Sequence, residues 1–138
     1  MICDKIRDKK EFLDFYNMYK LPNQYDWDFL CNNPNLFCFY DEEENGKLRG
    51  YITVQRETVI SPLSNSPPKG ENTYLTLSGA SVRKNMSDNI DAILMVCKAF
   101  NEDMYSFTRV KPAKICLLRA GFKHIKDDMY IRRKENGQ

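Results

Sequence analysis

Two runs of strand-forming residues, Leu36–Asp41 and Gly50–Glu57, flank an acidic stretch that contains Asn45-Gly46. Asn-Gly supplies the left-handed conformations of a tight turn, so the pattern predicts a β-hairpin over 36–57. The four carboxylates Asp41-Glu42-Glu43-Glu44 are expected at its exposed tip, because adjacent acids are not buried without cations. A third alternating run, TYLTLSGASV, puts apolar Tyr74, Leu75 and Leu77 among Thr and Ser and predicts a long strand over 74–82. Gly79 inside it points to a bulge or to close approach of a neighbouring backbone. Between these strands, residues 58–72 gather three prolines, serines and a glycine and read as an exposed loop.

Helical spacing appears in three further places. Phe12, Phe15, Tyr16 and Tyr19 recur at intervals of three and four and predict an amphipathic helix stopped at Pro22. This aromatic stripe reads first as core, with an acceptor site as the sharper alternative. Ile90, Ile93, Leu94, Cys97 and Phe100 mark a helix over 88–101, with Ser87 placed as its cap and Asp88 and Asp91 in its first turn. KPAKICLLRAGF reads as a compact helix closed by Gly121. Short strands are expected at Ile2–Ile6, over 104–110 with Tyr105 and Phe107 on one side, and at DMYIRRK, with a further one at FKHI. DWDFLCNNP suggests a second short helix. The resulting order, β-α-α-β-β-β-α-β-α-β, implies an α/β (α+β mixed) layer built on one mixed antiparallel/parallel sheet flanked by helices.

Composition narrows the classes. The 138 residues suit one domain spanning 1–138, and 42% apolar with 29% charged residues is ordinary for a soluble protein. The N-terminal MICDKIRDKKEF carries charge where an export signal needs an apolar run, and no stretch is long enough to span a membrane. Five cysteines without a C-x-x-C pair, and a single His124, argue against structural zinc and for buried free thiols in a reducing cytoplasm. Net charge is +2, yet residues 109–138 hold nine Lys/Arg against three Asp/Glu, which leaves −4 elsewhere. Such a segment fits a nucleic-acid surface in principle, but the interleaved aromatic pattern of an RNA-binding sheet is missing, and surface decoration is the simpler account.

The chemically suggestive junction is SVRKNMSDNI, where the third strand hands over to a helix. The first N–H groups of a helix lack partners and its dipole favours anions, so Ser81, Val82, Arg83, Lys84, Asn85, Met86, Ser87 and Asp88 form a candidate phosphate site. Sites of this kind usually carry glycines; this one has none.

The element order together with YSFTRVKPAKICLLRAGFKHI resembles the GNAT superfamily of acyl-CoA-dependent N-acetyltransferases, whose members end with a strand, a helix bearing N-x-x-A and a tyrosine, a Gly-Phe pair and a final hairpin. Ala113 and Gly121-Phe122 match that pattern. The resemblance implies a V-shaped opening between two central parallel strands, with the pantetheine arm of acetyl-CoA along the strand before SVRK and its pyrophosphate on residues 81–88. It also exposes departures. The family's Q/R-x-x-G-x-G/A loop has lost its glycines, the motif asparagine falls on Val110, and the tyrosine that often protonates the leaving thiolate falls on Leu117. An aspartate at 88 competes with a phosphate for the same donors. A base is also hard to place: Glu57 is the nearest acid, its plainer reading a solvated strand end, and Tyr105 is an acid candidate only if it faces the opening. His124 reads as a surface residue.

Two readings follow. One is a divergent acyl-CoA-dependent N-acetyltransferase acting on a small-molecule or peptide amine. The other is a catalytically inactive GNAT-like module that serves a protein partner. Degenerate domains of the second kind resemble some small phage-encoded proteins, for which a virion location would replace the cytoplasmic one. Nucleic acid ranks below both as a partner, and no membrane role is expected.

Overall fold

The computed structural model describes residues 2–18, 32–33, 35–41, 46–58, 73–81 and 86–135. Among the described residues seven strands form one sheet: β1 (Ile2–Asp4), β2 (Leu36–Tyr40), β3 (Leu48–Thr58), β4 (Thr73–Ser81), β5 (Met104–Phe107), β6 (Lys123–Lys126) and β7 (Met129–Arg132). Their order across the sheet is β1-β2-β3-β4-β5-β7-β6, with β4 and β5 parallel and the other neighbours antiparallel. The helices that lie wholly among the described residues are α1 (Lys9–Met18), α2 (Met86–Phe100) and α3 (Lys111–Arg119). This is the mixed α/β layer expected, and the further strand expected at FKHI is present one residue later, as Lys123–Lys126. The second helix suggested at DWDFLCNNP and the loop at 58–72 lie almost wholly outside the described residues.

Each helix covers a face that its apolar spacing dictates. In α1, Asp8 Oδ1 accepts the Lys10 N–H at 3.0 Å as the N-terminal cap. The helix then buries Phe12, Phe15 and Tyr16 around Tyr51, with ring centroids 5.6, 6.2 and 5.8 Å from it. The stripe is therefore core, in company with Leu36, Cys38, Tyr40 and Leu48; Tyr19 lies outside the described residues. On the opposite face, Ala92, Val96 and Cys97 of α2 and Leu117 of α3 pack on Phe39, Ile52, Val54, Leu75, Leu77, Met104 and Tyr130. The α3 helix ends in a Schellman motif: Phe122 N–H donates to Leu117 O and Gly121 N–H to Leu118 O, with Gly121 at φ +94°. Among the described residues no helix is long and apolar enough to cross a membrane.

Several expectations need correction. The α2 helix begins at Met86 rather than 88, so Ser87 is its second residue and not its cap. It ends at Phe100, and Asn101 takes the left-handed φ of +49° that asparagine tolerates. β5 stops at Phe107 rather than at 110: the Thr108 N–H adds one last bond in register with β7, to Asp128 O, and the Val110 N–H then bonds locally to Thr108 Oγ1. Tyr105 and Phe107 fare differently at 1% and 46% exposure. At the hairpin the register slips by one between Phe39 and Tyr40, leaving Arg49 as the extra residue of a bulge. Its Nε lies 2.6 Å from Asp41 Oδ2, so Asp41 is half-buried and paired rather than exposed. The described cysteines Cys3, Cys38, Cys97 and Cys116 are free thiols, as expected; burial pushes Cys38 up to about 12 and Cys97 to about 11.

Candidate functional site

The β4 strand is held unequally on its two edges. Toward β3 it is paired from Thr73↔Thr58 to Ser81↔Gly50, along its whole length. Toward β5 only Leu75↔Met104 and Thr76↔Tyr105 are paired. From Leu77 onward the two parallel strands part, and the ladder ends on a side chain: Ser106 Oγ donates to Leu77 O at 2.8 Å, fully buried. That bond satisfies a carbonyl which would otherwise face the gap unpaired.

The same bond fixes the polarity of the edge. In a strand the N–H and C=O of one residue point to one side and those of the next to the other. Leu77 O faces β5, so the backbone groups of Gly79 and Ser81 face the widening gap, while those of Ser78 and Ala80 pair with β3. Independent support comes from β3, where Val54 N–H turns to Asn35 O on the β2 side and leaves the odd-numbered residues to face β4. Gly79 is obligatory here. A Cβ on it would overlap the Tyr51 carbonyl oxygen and come within 3.0 Å of Ile52 Cα. The close backbone approach expected at this glycine is what the structure has.

Side chains flanking the gap differ between the two faces of the sheet. Leu75, Leu77 and Met104 belong to the apolar cluster under α2 and α3. On the other face, cross-strand register aligns Gln55, Thr76 and Tyr105 in one row and Thr53 with Ser78 in the next. Thr53 Oγ1 and Ser78 Oγ are hydrogen-bonded at 3.0 Å. Tyr105 is packed with Met129 and Ile131 on this face. No Asp or Glu stands on these two rows. The acids nearest to β5 in sequence are engaged elsewhere, Glu102 by Arg56 at 2.9 Å and Asp103 by Arg133 at 2.9 Å.

The remaining sequence candidates fall as follows. Glu57 sits opposite Tyr74, before the last paired rung and so at the closed end of the gap; its side chain is outside the described residues. Ser81 ends β4, residues 82–85 lie outside the described residues, and Met86, Ser87 and Asp88 open α2. Leu117 is 4% exposed in the core and Val110 precedes α3 without any side-chain cap. His124 is exposed, its ring 5.1 Å from that of Tyr130. One residue that sequence reasoning missed is Arg119, whose Nη1 donates to Met86 Sδ at 3.5 Å. It thereby stands at the N-terminus of α2 from the far end of α3, a proximity with no local sequence signal. Among the described residues no cluster of potential metal ligands occurs.

Solved structures with this arrangement are consistent in kind. The Bacillus subtilis N-acetyltransferase YlbP protein, in complex with coenzyme A, is similar over 96% of this chain and 95% of its own, at 16% identity and a TM-score of 0.62. Arabidopsis thaliana NAA60, in complex with acetyl-CoA, is similar over 96% and 98% at 15% identity and 0.63. A GNAT-family acetyltransferase from Streptococcus agalactiae is similar over 92% and 82% at 16% identity and 0.62. The chain has the GNAT fold. No family model and no curated protein matches it by sequence, so the likeness is one of structure.

Proposed function

We propose that the chain is a divergent acyl-CoA N-acyltransferase that uses the gap between β4 and β5 as its cofactor slot, in a cytoplasm where its free thiols stay reduced. The observation that carries this reading is the free edge of β4. A long strand is fixed along β3, released from β5 after two rungs, and closed at its apex by Ser106 instead of by backbone. An extended ligand with alternating amides, such as a pantetheine arm, can pair with the backbone of Gly79 and Ser81 as a strand would. A bound acyl-CoA would supply the thioester carbonyl that an amine attacks, the C–S bond breaking and the amine proton ending on the released thiol.

The chain's own groups have separable roles in this reading. Residues Ser81 to Asp88, including Arg83 and Lys84, receive the pyrophosphate with main-chain donors and cationic side chains. Arg119 adds a guanidinium at Met86 that offsets the charge of Asp88 in the first turn of α2. The polar rows at Thr53–Ser78 and Gln55–Thr76–Tyr105 face the acceptor. The acceptor itself is a small-molecule or peptide amine.

A second reading has its own observation. Leu117 is buried in the core and Val110 has no polar side chain, so neither family position can serve the cofactor, and the two rows contain no carboxylate to act as base. An inactive GNAT-like module would look the same.

Calorimetry with acetyl-CoA and CoA separates the two, followed by release of free thiol with a panel of amines. Binding that weakens about tenfold in Arg119→Ala and tightens in Asp88→Gly, together with turnover, is the expected result. Absence of heat at millimolar CoA from folded wild type and Asp88→Gly would leave the inactive module.

A further inference from the structure

On the polar face beside the gap, Gln55 has an amide whose hydrogen bonding is incomplete. Gln55 Nε2 is sealed from solvent and has no hydrogen-bond partner. A buried amide donor without a partner forfeits the hydrogen bonds it had in water, so it persists where a ligand completes it or where a role outweighs the loss. Chance exposure at a strand end does not explain it. Gln55 lies on the interior strand β3, opposite Thr76 and one row from the Thr53–Ser78 hydroxyl pair. Thr76 is in turn the last β4 residue paired with β5, so Gln55 stands at the apex where the gap begins.

Resting on the acyltransferase reading above, we propose that Gln55 positions the acyl acceptor, its carboxamide N–H donating to an oxygen carried beside the nucleophilic nitrogen. The acceptor class this selects is an amine with an adjacent neutral carbonyl or hydroxyl, not a simple alkylamine and not an acceptor held by charge. The rows Gln55–Thr76–Tyr105 and Thr53–Ser78 offer only neutral hydrogen-bonding groups. Arg56, next to Gln55, is engaged with Glu102 through two bonds of 3.1 and 2.9 Å. As a whole residue Gln55 is half-buried and its terminal torsion is a broad one, so in this proposal the carboxamide turns Nε2 toward the arriving acceptor.

The test compares wild type, Gln55→Met and Gln55→Glu of the full chain with alaninamide and isopropylamine, which differ in the amide group beside the amine. The expected result is a loss of about tenfold in the kcat/KM ratio of alaninamide over isopropylamine in both variants, with the KM for acetyl-CoA unchanged. Thermal unfolding gives a readout independent of activity. A glutamine that served the fold would lower Tm when replaced by Met, whereas an uncompensated donor leaves Tm unchanged or raises it. An unchanged acceptor ratio, or a Tm lowered by several degrees, overturns the assignment to Gln55 while leaving the cofactor slot intact. Coenzyme A binding without turnover of either amine does the same. A wild type that binds no coenzyme A overturns both readings.

Discussion

The seams on the two sides of β4 teach different things about one strand. On the β3 side, nine residue pairs run without a slip, and Gly79 lets the two backbones approach more closely than any side chain would allow. On the β5 side there are two pairs, after which a serine hydroxyl replaces the ladder. The first seam is where the fold's rigidity resides. The second gives up backbone pairing along the rest of β4, and only a ligand or solvent can restore it. A strand anchored on one edge and free on the other is a template for an extended partner, positioned without depending on loops.

The sharpest way to break the comparison is to attack the tight seam. Gly79→Val forces a Cβ into the Tyr51 carbonyl and should cost more than about 3 kcal/mol, a large fraction of the about 5–15 kcal/mol by which an ordinary domain is stable. Denaturant unfolding with circular dichroism checks this, and a normal midpoint would mean the two backbones are not in contact. Attack on the loose seam should be milder. Ser106→Ala leaves Leu77 O buried without its donor and should cost about 1–3 kcal/mol, with the native fold retained. A smaller effect is expected at the far hairpin, where Asp41→Asn removes a half-exposed ion pair with Arg49 and should cost at most about 1 kcal/mol.

Alkaline titration sharpens the same contrast from the interior. Burial raises Cys38 to about 12 from 9.0 and Tyr40 to about 12 from 10.0. Raised folded-state values mean that the unfolded chain loses its protons first. Stability is therefore fully present below pH 9 and is lost as pH climbs from there toward 12. Thermal unfolding as a function of pH measures this, and Cys38→Ser or Cys38→Ala should reduce the slope between pH 9 and 12. Neither group borders the gap, so acyl-CoA binding should not follow the same titration.

Much of this organisation was legible in the sequence because it is local. The Asn-Gly hairpin, the aromatic stripe of α1, the apolar face of α2 and the Gly121 terminus each depend on residues a few positions apart. What was hidden depends on contacts between distant segments. The Leu77–Ser106 bond spans 29 residues, Arg119 reaches Met86 from 33 residues away, and both join segments whose own patterns read simply as strand or helix. The early end of β5 was equally opaque, since MYSFTRV is strand-like throughout and the ladder to β7 ends with the Thr108 bond to Asp128, after which Val110 bonds locally to Thr108. Asp41 looked like part of an acidic tip because its partner, Arg49, is brought to it by a register slip that alternation does not encode. Gln55 passed unnoticed because a glutamine in a strand has no motif.

Residue-resolved hydrogen exchange on β4, with and without coenzyme A, tests the cofactor slot most directly. Without ligand, the amides of Ser78 and Ala80, paired with β3, should exchange slowly, and those of Gly79 and Ser81, facing the gap, much faster. Saturating coenzyme A should slow Gly79 and Ser81 selectively, abolishing the alternation. Protection that is uniform along β4 without ligand, or unchanged by coenzyme A at millimolar concentration, would contradict the slot.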